Sequence, residues 1–120
     1  MVGVEQSASR DVGLLDYSRL KGMMLQAWSP FHTGRGKGNF LGDTENHGEL
    51  NALLEVMAAK YGVTPTGIAV AWIARHPANI QVVLGTTRPE RVRDSAAGAD
   101  VVLSREDWYQ LFRAAGHTLP

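Results

Sequence analysis

The chain has 120 residues, and its 12 Lys and Arg residues balance its 12 Asp and Glu residues, giving a formal net charge of zero. This balance provides no basic surface for nucleic acid or an anionic membrane, and the lack of cysteine excludes disulfide scaffolds, zinc ribbons and thiol catalysis. No apolar run approaches the ~20 residues of a membrane helix, and the first residues lack signal-peptide character. We therefore expect a cytoplasmic α/β chain that binds neither nucleic acid nor membranes.

Hydrophobic periodicity and stop signals divide the chain into seven elements that follow a poorly ordered lead-in over residues 1–11. In chain order, the predicted elements are a helix over 12–21, a strand over 23–28, helices over 47–61 and 65–76, a strand over 80–84, and helices over 89–97 and 105–115. Residues 31–46 form a long loop, a kind of segment that is usually functional or mobile. Its segment 34–38 lacks the spacing of a phosphate-binding loop, so we favour a flexible basic loop over a phosphate cradle there.

Capping residues and apolar stripes predict how these helices begin and pack. Thr64 precedes Pro65 at the third helix, Ser104 and Asp107 form a capping pair before the last helix, and Asp11 is placed to cap the first. We expect Val12, Leu15, Leu20 and Tyr17 of the first helix to be partly buried. The expected inner faces of the later helices are Leu50, Leu53, Leu54, Met57 and Tyr61; residues 68–73; Val92 and Ala96; and Trp108, Leu111, Phe112 and Ala115.

Two strands separated by helices predict parallel pairing through crossover connections. Two parallel strands are too few to bury themselves, whereas an eight-stranded barrel of about 250 residues would supply neighbours for both. We therefore predict an α/β fold, the C-terminal portion of a (β/α)8 TIM barrel, with a domain over residues 12–116 and a tail over 117–120. The alternative is a small three-layer α/β domain with a further strand in residues 1–7.

In such a barrel the carboxyl ends of the strands face the ligand, which singles out residues 28–31 and residues 85–88. Gly85 allows a ligand to approach the backbone, and the following helix adds its positive N-terminal end. Arg88 and Arg91 offer fork-shaped donors for a phosphate. These residues allow two interpretations of this segment. It binds a phosphorylated ligand, or it is a capped turn whose arginines are only solvated, and the residues alone leave both open.

Three pairs or runs of residues carry a family resemblance. They are LLDY (14–17) with QAWSP (26–30), AAKYGVTP (58–65) with AVAW (69–72), and VLGTTRPERV (83–92). In this order and spacing they resemble the C-terminal half of an aldo-keto reductase over about residues 14–116. The stretch over residues 104–108 is similar to the bacterial oxidoreductase branch of that family.

The resemblance implies an NADP(H)-dependent oxidoreductase that reduces a small-molecule carbonyl to an alcohol. It implies these cofactor-binding residues: Trp28 on the nicotinamide ring; Ser29, Pro30 and Phe31 beside the pyrophosphate; Gly85, Thr86, Thr87 and Arg88 around the 2′-phosphate; Arg91 beside adenine and phosphate; and Asp94 and Ser95 at the adenine. Asp94 and Ser95 depart from the Glu and Asn that the family usually has there.

No stretch of this sequence matches the family's catalytic Asp, Tyr, Lys and His, so we assign no catalytic residue and no metal ligand. The sequence predicts a fragment that supplies part of the NADP(H) site and is inactive as the isolated chain. The alternative is a non-catalytic interaction or scaffold module derived from a truncated barrel. Its exposed strand edges would lead to self-association or to complementation by an N-terminal half.

Overall fold

The computed structural model describes residues 13–33 and 38–119. Within them, the elements in chain order are α1 (Leu14–Leu20), β1 (Leu25–Ala27), α2 (Gly48–Tyr61), α3 (Pro65–Ala74), β2 (Ile80–Val82), α4 (Pro89–Ala99) and α5 (Arg105–Ala114). The predicted order and type of these elements are confirmed, although both strands are shorter than expected. The described residues do not include the lead-in over residues 1–11, in which Asp11 was predicted to cap the first helix. They also leave out residues 34–37 of the predicted basic loop segment.

The two strands pair in parallel, as the helices between them predicted. Leu25 lies opposite Ile80 and Ala27 opposite Val82. The amide of Val83 donates to the carbonyl of Ala27 at 3.0 Å, which extends the ladder beyond β2. Because the strands run in the same direction, the segments that follow them emerge at the same end of the sheet. That common end positions the site described below.

The hydrophobic core lies among α2, α3 and α5 rather than around the sheet. Its buried members are Phe40, Leu50, Leu54, Met57, Ala58, Ile68, Ala69, Ala71, Leu103 and Leu111. The predicted apolar faces of α2 and α5 and the all-round burial of α3 are therefore confirmed. Thr64 caps α3 by accepting from the amide of Gly67 at 3.2 Å, and Ser104 caps α5 by accepting from the amide of Asp107 at 3.1 Å.

Two polar connections hold α5 against the other core helices. Trp72 and Trp108 stack with ring centroids 4.6 Å apart, and each indole N–H donates to the other residue's carbonyl, at 3.0 and 2.8 Å. At the C-terminal end of α2, the buried carboxylate of Asp107 accepts from Lys60 Nζ at 2.7 Å and from the Tyr61 hydroxyl. The same hydroxyl accepts from the amide of Ser104 at 3.0 Å. Tyr61 therefore completes the predicted capping pair by linking its two residues.

Helix α4 packs on α3 through small residues, and the predicted inner face of α4 is wrong. Val92 is 40% exposed and Ala96 is also exposed, whereas Ser95 and Gly98 are buried. A Cβ atom added at Gly98 would lie 2.1 Å from the carbonyl oxygen of Gly67, so the two helix backbones nearly touch. The apolar stripe did not predict this contact because close backbone approach needs residues without bulk.

The predicted partial burial of α1 is wrong for Leu20. Helix α1 begins after Gly13, which adopts a left-handed conformation, and Ser18 is its buried residue. Leu20 is 79% exposed, whereas Tyr17 and Leu15 are 53% and 40% exposed, and Val12 lies outside the described residues. Within the described part of the chain, each of the apolar side chains of α1 keeps at least 40% of its surface exposed. None of the helices in this part is both long and apolar enough to cross a membrane.

Candidate functional site

A cleft of about 480 Å³ opens at the carboxyl ends of β1 and β2. This volume lies within the range of about 300–1,000 Å³ that is typical of small-molecule sites. The lining residues come from both strand ends, the loop before α2, the start of α3 and the helix α4. They are Ser29, Pro30, Phe31, His32, Asn39, Leu41, Thr66, Leu84, Gly85, Thr86, Arg91 and Ser95.

The segment after β1 forms one wall of the cleft. Ser29 has a φ of 47°, a left-handed conformation that costs a residue with a side chain about 1–2 kcal/mol. Pro30 is buried, and Phe31 packs edge-on against Phe40 with ring centroids 6.3 Å apart. The carbonyl of Phe31 also accepts from the amide of Phe40 at 3.0 Å. The core therefore fixes this wall, and the backbone strain at Ser29 falls at the mouth of the cleft.

The segment after β2 forms the opposite wall. A Cβ atom at Gly85 would meet no other atom within 4 Å, so the backbone at this position faces open space. The hydroxyl of Thr86 accepts from the amide of Arg88 at 3.2 Å and closes the turn into α4. An open backbone beside a hydroxyl and a helix start suits a ligand that carries phosphate.

Helix α4 supplies the charge of the cleft. Among the described residues that line it, Arg91 alone carries a permanently charged side chain. The Ser95 hydroxyl is buried and donates to the carbonyl of Arg91 at 2.8 Å, so this serine stabilises the helix turn beneath the arginine. No ion pair within 4 Å joins Arg91 to a carboxylate elsewhere in residues 13–33 and 38–119, which leaves its guanidinium available to an anion.

The structure brings together many, but not all, of the residues predicted for a cofactor. Those that line the cleft are Ser29, Pro30, Phe31, Gly85, Thr86, Arg91 and Ser95. Those that do not line it are Trp28, Thr87, Arg88 and Asp94. Trp28 is 82% exposed just beyond β1, and Arg88 Nε lies 3.4 Å from Glu90 Oε1 on the surface. Their roles stay predictions.

Five further residues line the cleft without having been predicted from the sequence: His32, Asn39, Leu41, Thr66 and Leu84. Thr66 lies in the first turn of α3, far in sequence from either strand end. Leu84 belongs to the predicted second strand and could have been inferred from the rule that strand ends carry the site. The others depend on the path of the long loop, which no local pattern predicts.

Asn51 holds that loop in place from the buried side of α2. Its Oδ1 accepts from the amide of Gly42 at 2.8 Å. Its Nδ2 donates to the carbonyls of Phe40, Asp43 and His47 at 2.8, 3.1 and 2.9 Å. One buried amide side chain therefore positions the loop residues that complete the cleft.

A parallel α/β arrangement with a ligand-sized cleft at the carboxyl ends of its strands is typical of barrel and doubly wound enzymes. The family model of the Aldo/keto reductase family matches residues 5–115. The chain therefore belongs to the aldo-keto reductase family, as its motifs indicated.

Two curated relatives illustrate the similarity. The chain is 36% identical over 103 residues to the 6-dehydroglucose reductase of Agrobacterium fabrum, covering 86% of this chain and 33% of that protein. It is 29% identical over 111 residues to the NADH-specific methylglyoxal reductase of Escherichia coli, covering 78% of this chain and 34% of that protein. The chain thus spans about a third of the length of these relatives.

A solved structure supports the same fold. The crystal structure of a thermostable aldo-keto reductase in complex with the inhibitor epalrestat matches with a TM-score of 0.64 and 26% sequence identity. The match covers 85% of this chain and 33% of that one. The predicted fold class, a portion of an aldo-keto reductase barrel with parallel strands and helices, is therefore confirmed.

Proposed function

We propose that this chain supplies part of the NADP(H) site of an aldo-keto reductase that reduces a small-molecule carbonyl in the cytoplasm. One observation carries the proposal. The family resemblance assigns Ser29, Pro30 and Phe31 to the pyrophosphate and Gly85 and Thr86 to the surroundings of the 2′-phosphate, and all five line one cleft. These two groups follow strands whose paired residues, Gln26 and Gln81, lie 55 positions apart in the sequence. Parallel pairing of the strands is what makes such a composite site available.

The residues of the cleft fit a phosphorylated dinucleotide. Gly85 leaves space where a side chain would stand, and Thr86 offers a hydroxyl. Arg91 offers a guanidinium that has no ion-pair partner among residues 13–33 and 38–119. A guanidinium is a bidentate partner for a phosphate, and an arginine in this role accommodates the 2′-phosphate that distinguishes NADPH from NADH. The exposed ring of Trp28 is free to stack on a planar group. These features support NADP(H) even though one relative is named as NADH-specific.

Carbonyl reduction needs more than the residues of this cleft. A reduced nicotinamide supplies the hydride when bound, and a proton donor with a suitable pKa must lie beside the carbonyl oxygen. The family's catalytic Asp, Tyr, Lys and His have no matching stretch in this sequence. We therefore propose that the catalytic residues lie outside these 120 residues and that the chain alone is inactive.

Isothermal titration calorimetry with NADPH and with NADH tests the cofactor assignment. The titrations use the chain alone and the chain mixed with the remaining two thirds of a full-length relative. We expect Arg91→Ala to weaken NADPH binding at least tenfold and to leave NADH binding within twofold, because the 2′-phosphate loses its charged partner. Arg93→Ala is the matched control, since Arg93 is an exposed arginine of the same helix that does not line the cleft, and it should change NADPH binding by less than twofold.

Three results would contradict the proposal. The cofactor assignment is wrong if neither form of the chain binds NADPH or if Arg91→Ala changes both cofactors equally. The assignment of catalysis to residues outside the chain is wrong if the isolated chain binds NADPH and turns over an aldehyde.

A second candidate, a non-catalytic interaction module, is favoured by the uncovered apolar side chains near the sheet. Leu20, Met24 and Trp28 are each more than half exposed, and within the described residues each strand has one neighbour only. Open strand edges and apolar patches promote association. Sedimentation velocity separates the two candidates, since a monomer that persists at high concentration argues against self-association.

A further inference from the structure

A second cleft, of about 350 Å³, lies at the opposite end of β2 from the proposed cofactor site. It forms where the end of α3 meets the start of α5, just before the chain enters β2. Its lining residues are Arg75, His76, Pro77, Arg105, Trp108 and Tyr109. None of these residues takes part in the site at the carboxyl ends of the strands.

Two arginines from different helices give this cleft its charge. Arg75 is fixed because its Nε donates to the carbonyl of Leu103 at 3.1 Å, which leaves its terminal nitrogens for another partner. The guanidinium of Arg105 lies over the ring of Tyr109, 5.9 Å from the ring centroid. Across residues 13–33 and 38–119, no carboxylate lies within 4 Å of either guanidinium as an ion-pair partner. Two unneutralised cations in one concave surface favour an anion.

The aromatic walls of the cleft are rigid before any ligand arrives. Trp108 is held by its stack on Trp72 and by the two reciprocal hydrogen bonds of that pair. Tyr109 stands nearly perpendicular to Trp108, at 84° and 5.1 Å between centroids. Pro77 adds a further apolar surface. Fixed planar walls lower the entropic cost of binding a flat group.

His76 contributes a neutral donor rather than a third cation. Its Nδ1 accepts from the amide of Ala78 at 3.1 Å, so the neutral ring carries its proton on Nε2. Burial lowers the pKa of His76 below its ordinary value, the positive charge of Arg19 lowers it further, and Asp16 opposes both. Among the described residues that line the cleft, the permanent charges are therefore those of the two arginines.

We propose that this cleft binds a small aromatic oxyanion, with the carboxylate or phosphate between Arg75 and Arg105 and the ring against Tyr109 and Trp108. The planar guanidinium forks match either oxyanion, and the aromatic walls select for a flat apolar body. This assignment is independent of the cofactor proposal, because it uses other residues at the other end of the strand.

Calorimetric titration of the full chain with phenyl phosphate and with benzoate tests the proposal. Comparing the two affinities shows whether the cleft prefers a phosphate or a carboxylate. Inorganic phosphate provides the anion without the ring, and benzyl alcohol provides the ring without the anion. We expect both of these controls to bind at least tenfold more weakly than the better aromatic anion. Amide NMR shifts should change around Arg105 and Tyr109 and stay constant around Gly85.

Arg105→Gln is the diagnostic variant, because Arg105 is exposed and its side chain makes no hydrogen bond within the described residues. We expect at least a tenfold loss of affinity. Arg113→Gln, on the same helix but outside the cleft, is the matched control and should change affinity by less than twofold. The proposal is overturned if inorganic phosphate binds as tightly as phenyl phosphate, if Arg105→Gln has no effect, or if the NMR shifts fall around Gly85.

Discussion

The contact between α3 and α4 leads to a sharp prediction about Gly98. A Cβ atom at this position would lie 2.1 Å from the carbonyl oxygen of Gly67 and 2.6 Å from its Cα. Both atoms belong to the backbone of a buried helix, so no rotamer change can relieve the clash. The substitution Gly98→Ala therefore forces the two helices apart or tilts one of them.

Two opposing effects set the size of the change in the free energy of unfolding. Alanine is favoured over glycine inside a helix by up to about 1 kcal/mol. Overpacking of a tight contact costs about 1–3 kcal/mol, and a backbone clash of this depth belongs at the upper end of that range. We therefore expect Gly98→Ala to lower the free energy of unfolding by about 2 kcal/mol.

Urea unfolding followed by far-UV circular dichroism measures this loss, and thermal unfolding should show a decrease of about 8 °C in Tm. Gly48→Ala is the matched control, because Gly48 begins α2 and an added Cβ there meets no atom within 4 Å. We expect Gly48→Ala to leave stability unchanged or to raise it slightly. If Gly98→Ala is as stable as the control, then α3 and α4 do not pack at this distance in solution.

Two further substitutions probe the polar connections of the core. Asp107→Asn should lower the free energy of unfolding by about 1–3 kcal/mol at pH 7, because Lys60 and Tyr61 lose their charged acceptor. Burial alone would raise the pKa of Asp107, but hydrogen bonds from Lys60, Tyr61 and Ser104 hold it below its ordinary value. The stabilisation is therefore present above about pH 4 and is lost as the pH falls through the folded-state pKa. If the urea midpoints of the two proteins differ by the same amount at pH 7 and at pH 3, the carboxylate does not contribute in this way. Asn51→Asp should cost about 1–3 kcal/mol in thermal unfolding, because a carboxylate cannot donate to the three carbonyls that the amide now serves, and an unchanged Tm would show that the loop does not depend on this residue.

Local sequence signals predicted the helices well, because most helices have a capping residue, a terminating residue and an apolar face that can be read from nearby positions. Thr64 and Ser104 cap α3 and α5 through the backbone amides that their spacing implies. Gly62 ends α2 in a left-handed conformation with a φ of 70°. These signals depend on residues a few positions apart, so sequence alone was sufficient for them.

Contacts between distant elements were predicted less well. The apolar residues of α4 suggested an inner face at Val92, whereas the helix turns its small residues toward Gly67. In α1 the apolar residues were identified from the sequence, but an apolar side chain is buried only where another element covers it, and the described elements leave Leu20 79% exposed. Periodicity identifies a face that can be buried, and only the tertiary structure decides whether it is.

The same distinction explains the candidate site. Residues that immediately follow the strands, such as Ser29 and Gly85, reach the cleft because parallel strands deliver their carboxyl ends to one place. Arg88 and Asp94 were assigned by family resemblance, and the orientation of α4 directs Arg91 rather than these two into the cleft. Thr66 reaches it through the packing of α3 beside the sheet, which no motif encodes.

The location of the core has a consequence for how the cleft can be studied. Most of the largest fully buried side chains, including Leu50, Leu54 and Ile68, lie on helices, whereas the strand residues are exposed or half-buried. Most of the apolar burial that stabilises the chain is therefore separate from the strand ends that carry the cleft. Exposed positions such as Arg91 can be changed without removing any core contact. A loss of cofactor binding after such a change, with unfolding unaltered, then reports on the site itself.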